Sequence, residues 1–282
     1  MDFTLDETQQ DLRTLTADLL AKDPTWPAME QAGLAAICTP EEGLGAVEMA
    51  VVLREVGMAA ADVPALPVLA ATLALAAYGR QVDGLPTVAV KGMSAPYAQQ
   101  ATHVLYTTDE GLFLTDDFTL TPEFTATGEP SGTITPGRSE KLADPGHGLR
   151  KIVTVAVAAQ AGGVLAGALK LTTDYIKTRR QFGRPLAEFQ AVTMQIADVY
   201  IASRALDVAM WSAAWGMDGD DAAIAGFHVS EAFKALFTCQ HLHGGLGLDV
   251  TYPLHRYFGH AKHLSHLLGG ADAQLDLIGA HL

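Results

Sequence analysis

Tyr175-Ile176-Lys177-Thr178-Arg179-Arg180-Gln181-Phe182-Gly183-Arg184-Pro185 is the stretch on which the reading of this chain turns. It lies where a long helical pattern, Leu149 to about Thr178, gives way to the breaking Gly183-Arg184-Pro185. Arg grips a pyrophosphate through two parallel charge-assisted hydrogen bonds, a geometry Lys does not match. Gln181 offers a donor and an acceptor, and Phe182 a flat apolar face. Gly183 lets the chain turn. On the residues alone a second reading stands beside this one, a basic helix end that complements the helix dipole.

Upstream, Ile152 to Leu169 runs without charge, long enough to raise the question of a membrane span. It is rich in Ala and Gly, contains Thr154 and Gln160, and its helical pattern continues through Lys170 and Asp174. Gly163-xxx-Gly167 equally marks close helix contact in a soluble bundle, and a buried helix is expected. Downstream, further helices are expected over Leu186 to Trp215, over Ala222 to Leu242, from near Pro253, and after Gly269-Gly270. Long helices with short connections predict an antiparallel bundle. The helix expected over Ala222 to Leu242 ends in His241-Leu242-His243-Gly244-Gly245-Leu246-Gly247. The glycines let backbone approach a ligand closely, or serve as an ordinary helix stop. The segment follows a helix rather than a strand, so it is no dinucleotide fingerprint.

Toward the N-terminus, Thr4-Leu5-Asp6-Glu7 reads as a capping box with Thr4 capping and Glu7 reaching back. Leu12, Leu15 and Leu19 follow near the helical period, a short helix runs through Met29 to Leu34, and helical patterns resume over Val47 to Val56 and Leu66 to Tyr78. From Gly84 to about Gly137 that period gives way to short β-leaning runs: Thr87 to Val90, His103 to Thr108 and Gly111 to Thr115. They predict a small antiparallel β domain.

The net charge of −14 makes nucleic acid a poor partner. Cys38 and Cys239 make neither a disulfide framework nor a zinc spacing, and buried reduced thiols in a cytoplasmic protein are expected. The acidic, polar start MDFTLDETQQ reads as neither a secretory signal nor a transit peptide. His255, His260, His263 and His266 recur at spacings that share a helical face, with no carboxylate or cysteine among them at ligand spacing. Solvated or interface histidines are expected there, and no metal.

Taken together these segments resemble the acyl-CoA dehydrogenase family. Trp26, Gly33-Leu34, Pro40-Glu41-Glu42-Gly43, Glu48 and Glu55-Val56-Gly57 resemble its N-terminal helical domain. Tyr175 to Pro185, then Phe189-Gln190-Ala191-Val192 and Ala197-Asp198, resemble the segment after the first long helix of its C-terminal bundle. His243-Gly244-Gly245-Leu246-Gly247, then Pro253 and Arg256, resemble its later Gly-rich turn. The resemblance implies a mainly α fold: an N-terminal helical domain (residues 1–83), a reduced middle β domain (84–145) and a C-terminal four-helix bundle (146–282). It implies noncovalent FAD. It also implies that Arg179, Gln181 and Phe182 contact FAD bound mainly by a neighbouring subunit, with Gly244 and Gly245 near the adenine end. His241 stands where the family has Gln, directly after Gln240.

The departures from the family carry as much as the matches. Relatives are longer, and the missing material is expected in the β domain, where no Glu-Pro…Gly-Ser-Asp stretch occurs. One family position for the catalytic Glu falls here at Leu268, before Gly269; the other falls near Val153, with no acidic residue from Ile152 through Thr173. General base catalysis is worth roughly 10²–10⁴-fold, and neither side chain can supply it. Both losses resemble one chain of the α2β2 actinobacterial acyl-CoA dehydrogenases, such as those for steroid side chains, in which the related partner subunit carries the base and most of the acyl-CoA. The resemblance names electron-transfer flavoprotein as the electron acceptor. The alternatives are a self-sufficient homo-oligomer with a relocated base, Glu188 or Asp249, and a flavin-free scaffold that binds metal through the histidines.

Overall fold

The computed structural model describes residues 3–90, 94–145 and 148–280. The helix α1 spans Glu7–Lys22, α2 Trp26–Gln31, α3 Ala46–Met58 and α4 Ala65–Ala76. Asp6, not Thr4, caps α1: its carboxylate accepts from the Gln9 amide, and the Gln9 side chain accepts from the Asp6 amide. The box therefore sits two residues later than expected. Asp-x-x-Gln satisfies the same orphan donors as Thr-x-x-Glu, and the sequence carries both overlapping patterns. Gly33 takes φ +79°, a left-handed conformation just past the end of α2.

The strands are β1 Pro86–Ala89, β2 His103–Thr108, β3 Gly111–Thr115, β4 Phe118–Pro122, β5 Gly132–Pro136 and β6 Glu140–Ala143. One sheet has the order β1-β2-β3-β6, and β4 and β5 pair separately. The β domain is not wholly antiparallel. Pro86 to Ala89 pair in parallel with His103 to Tyr106, and the remaining pairs are antiparallel. Parallel neighbours need a crossover of about a dozen residues, and the stretch between Ala89 and His103 is long enough to provide one.

The helix α5, Leu149–Thr178, is the axis of the molecule. It is long and apolar enough to cross a membrane, yet 83% of its apolar window is buried by the rest of the chain. Glycine decides how closely its neighbours approach. A methyl at Gly163 would lie 1.8 Å from the Arg54 carbonyl on α3, and one at Gly57 would lie 2.0 Å from the Gln160 carbonyl. Gly167 leaves room for the Tyr257 ring, whose hydroxyl donates to Met58 O at 2.9 Å. The Gly163-xxx-Gly167 spacing therefore marks helix contact, as expected.

Around α5 pack α6 (Gln190–Gly216), α7 (Gly219–His243) and α8 (Leu254–Leu267), with α9 (Gly270–Gly279) against α7. The stretch Leu186–Glu188 is a 3₁₀ turn, so the α-helical part of α6 starts after Phe189. The N-terminal helices are tied to the bundle by charge as well as packing. Arg54 on α3 donates from Nε and Nη2 to the two oxygens of Asp207 on α6, both at 3.1 Å, and Arg204 adds a third donor at 3.0 Å. The Asp207 side chain is 4% exposed and that of Arg54 23%.

Removing one partner of a buried pair costs about 3–5 kcal/mol because the other charge is left uncompensated. Asp207→Ala should therefore lower unfolding stability by about 3 kcal/mol, the low end of that range, since Arg54 keeps some access to water. Urea denaturation measures it.

Candidate cofactor-contact site

The site begins at the last turn of α5. The Arg179 amide donates to Tyr175 O at 2.8 Å, and Arg179 then leaves the helix in extended conformation. A short hairpin follows, β7 (Arg180–Gln181) and β8 (Arg184–Pro185), with Arg180 opposite Pro185 and Gln181 opposite Arg184. Its two-residue loop is Phe182-Gly183, with φ of +51° and +82°. Positive φ at both positions is the type I′ turn that matches strand twist, for which Asn-Gly is the favoured pair.

Phe182 is an unfavourable residue at the first of those positions, because its Cβ crowds the backbone at positive φ. It is nonetheless 91% exposed, with the Phe189 ring edge-on at 6.3 Å. A large aromatic ring held outward on a strained turn is a feature that internal packing does not explain. Arg184 stacks its guanidinium 4.1 Å over the Phe189 ring and so braces the hairpin base.

The second motif closes α7. Gly244 takes φ +61° and ψ −139°, a region open essentially to glycine alone. Gly247 is required by packing, since a methyl there would lie 2.7 Å from Gln240 O. Gly245 has neither reason: its φ is not positive, and a methyl there would meet nothing within 4 Å. The space in front of it is open to something outside this chain. The structure brings the two motifs together through a stack of Tyr175 on His243, ring centroids 4.4 Å apart. Arg179, Gln181, Phe182, His241, Gly244 and Gly245 are all exposed, on one connected edge of the bundle. A pyrophosphate grip, an open aromatic face and a side-chain-free turn fit the exposed parts of a dinucleotide.

The two positions at which the sequence placed the family's base are apolar and buried here: Val153 is 1% exposed and Leu268 7%. The expectation that the C-terminal histidines are solvated or lie at an interface fits the exposed His266 and the half-buried His255, and the structure corrects it for His260 and His263. His260 and His263 are 5% and 8% exposed. His260 Nε2 lies 3.0 Å from Asp62, and His263 Nε2 lies 2.8 Å from Glu129, without the alignment of full hydrogen bonds. Burial pushes the Glu129 carboxyl up. The contact and charge of His263, the Ser131 hydroxyl and the His260 charge outweigh it and hold the group below the ordinary value. The carboxylates come from the α3–α4 connection and the β domain, so their approach was invisible to helical spacing.

The cavity between Gln160, Tyr97, Glu129, His260, His263 and Leu267 holds only about 10 Å³. Among the described residues no group of three or more His, Cys, Asp or Glu side chains is placed to hold a metal. Cys38 and Cys239 are buried and free, their thiols pushed up by burial to about 12 and about 11.

Relieving the strained loop should stabilise the isolated chain. Phe182→Asn is expected to raise unfolding stability by about 0.5–1 kcal/mol, because Asn accepts the left-handed conformation and little packing is lost. A lowered thermal midpoint would show that the ring braces the fold instead.

Residues 154–282 match the family model described as acyl-CoA dehydrogenase, C-terminal domain. The chain is 33% identical to acyl-CoA dehydrogenase FadE28 of Mycobacterium tuberculosis, over 99% of this chain and 98% of that one. The 334 aligned positions exceed the 282 residues here, so that relative carries residues without a counterpart. It is 30% identical to acyl-CoA dehydrogenase IpdE2 of Mycolicibacterium smegmatis, over 93% of this chain and 89% of that one. Among solved structures, a chain of the Tcur3481-Tcur3483 steroid ACAD (a G363A variant) superposes with a TM-score of 0.90 at 31% identity, covering 98% of each chain. A chain of the ChsE4-ChsE5 complex from Mycobacterium tuberculosis does so with a TM-score of 0.88 at 29% identity, covering 100% of this chain and 98% of that one. This chain belongs to the acyl-CoA dehydrogenase family, whose members are FAD flavoproteins.

Proposed function

We propose that this chain is the FAD-contacting subunit, without a catalytic base of its own, of a hetero-oligomeric acyl-CoA dehydrogenase that introduces an α,β double bond into an acyl-CoA thioester. The observation that carries the reading is a contrast. The cofactor-facing residues are all exposed, while both base positions hold buried aliphatic side chains. FAD supplies the hydride acceptor when bound. Arg179 would hold the pyrophosphate, Gln181 would donate and accept alongside it, and Phe182 would lay its ring against the cofactor. Gly244 and Gly245, with His241, would approach the adenine end. The related partner would hold the flavin ring, the base and most of the thioester.

Four further observations support it. The cavity lined by Gln160, Glu129, His263 and Leu267, at about 10 Å³, is far below the several hundred Å³ that small-molecule sites occupy, and the hollow of about 450 Å³ on the other side of His263 and Leu267 opens to the surface. Glu129 lines the smaller cavity and is engaged with Ser131 and His263. Asp249, a candidate relocated base, accepts from the Thr251 amide and hydroxyl, which hold its carboxyl below the ordinary value and make it a weaker base. Glu188 is exposed to solvent on the 3₁₀ turn.

An outer face of the bundle speaks for a protein partner. Met194, Ile201, Val208 and Trp215 recur at seven-residue intervals along α6, each more than half exposed. Such a stripe is the seam by which one helix packs against another. We propose that the related subunit covers it in an α2β2 assembly. A CoA thioester of a steroid side chain is the proposed substrate, supported by the likeness to the Tcur3481-Tcur3483 steroid ACAD. Electron-transfer flavoprotein is the proposed acceptor. The buried free thiols fit a reducing compartment, and we place the complex in the cytoplasm.

Expressed alone, the chain should be colourless or poorly soluble; co-expressed with its partner it should yield a yellow, active complex. Full flavin occupancy and turnover by the single chain would refute the reading. Within the complex, Arg179→Ala should weaken FAD binding by about 1.5–3 kcal/mol, the worth of a charge-assisted hydrogen bond, measured as flavin retained after dialysis.

A further inference from the structure

The two cofactor-facing motifs are braced by one buried imidazole. His243, the last residue of α7, is 3% exposed. Its Nδ1 lies 2.8 Å from Cys239 O, and a carbonyl only accepts, so Nδ1 carries the proton. Its Nε2, 3.2 Å from the Tyr252 hydroxyl, is then the acceptor of that O–H. Both ring nitrogens are used, and the tautomer follows from the partners. On its face the ring stacks against Tyr175, at 4.4 Å and 21°, one helical turn before Arg179. The Tyr175 hydroxyl points back to His243 O at 3.5 Å.

These contacts link three places. Cys239 anchors the imidazole to α7. Tyr252 lies beyond the 3₁₀ turn Gly244–Leu248, so the Nε2 bond spans the glycine segment. Tyr175 carries the link to the end of α5. Gly244 and Gly245 have no side chains to hold their own backbone, and a methyl at either would meet nothing within 4 Å. Their position must therefore come from the residues on either side.

We propose that His243 is a positioning residue: as a neutral imidazole clamped between Tyr175 and Tyr252, it holds the Gly244-Gly245 turn in register with the Arg179–Phe182 hairpin, so that both reach the same FAD. The inference rests on the cofactor-contact reading above. Burial pushes the His243 imidazole below its ordinary value against the opposing Cys239 carbonyl, in keeping with a neutral ring whose Nε2 accepts from Tyr252.

The test uses the complex with its partner, stripped of flavin and titrated with FAD, alongside its thermal midpoint. His243→Phe keeps a flat ring against Tyr175 and removes both nitrogens. Tyr252→Phe is the milder change and removes only the hydroxyl. His243→Phe should raise the Kd for FAD about tenfold, the lower end of what loss of an orienting partner costs. Tyr252→Phe should raise it several-fold, and the double variant should be no worse than His243→Phe. Amide exchange should quicken at Gly244–Leu248 and at Arg179–Gly183 together, without a matching fall in the midpoint. Separate, additive losses from the two variants, or exchange that quickens only at the mutated turn, would overturn the proposal. Arg179→Ala separates the two levels. If it weakens FAD binding and His243→Phe does not, the positioning role alone falls. If Arg179→Ala leaves the Kd unchanged, the cofactor-contact reading falls and the positioning role with it.

Discussion

The close approach of α3 to α5 is the constraint from which the rest of the molecule follows. Two glycines make it: Gly163 faces the Arg54 carbonyl, and Gly57 faces the Gln160 carbonyl. A single methyl on either would force the helices apart, and close-packed interiors pass such displacements on to their neighbours. With that contact made, α5 becomes a fixed axis. Its Gly167 seats Tyr257 of α8, Asp207 of α6 reaches Arg54 of α3, and its last turn delivers Arg179 to the surface. That exposed edge is held from two sides, by the end of a largely buried helix and by the stack of Tyr175 on His243.

That arrangement gives the chain two contrasting regions. The edge that carries Arg179, Phe182 and Gly244 is open, and it retains a strained residue and a glycine for which packing gives no reason. The interior around Glu129 and Gln160 is closed. There His263 on α8 meets Glu129 from the β domain, and nearby His260 meets the exposed Asp62 of the α3–α4 connection, so that three parts of the chain are joined. The buried His263–Glu129 pair is stable only when both partners are in place. Open contacts outside and a filled interior are what a chain lending groups to a neighbour's cofactor would combine.

Much of this was legible in the sequence, and the limits have physical causes. The run from Leu149 to Thr178 gave the central helix with its ends, because an uncharged stretch flanked by a breaking Gly-Arg-Pro allows little else. Gly163 and Gly167 announced a close contact, though not which helix would make it. The cap of α1 was misplaced because Thr4-x-x-Glu7 and Asp6-x-x-Gln9 compete within one turn. The parallel pairing of β1 and β2 depends on a crossover whose direction local pattern does not encode. The buried histidines were missed because their carboxylate partners lie far away in sequence. The Phe182-Gly183 turn was readable as a turn, but its type, and so its strain, needed the backbone. The stack of Tyr175 on His243 joins residues that sequence reading had treated as two separate motifs.

The central claim is that this chain lends contacts to a flavin it does not cradle. Flavin stoichiometry in the purified complex tests it most directly, with flavin counted by absorbance after release and the two chains counted by native mass. One FAD for each pair made of this chain and its partner is the result expected. Two FAD per pair, one to each chain, would contradict it, since this polypeptide would then hold a complete flavin site of its own.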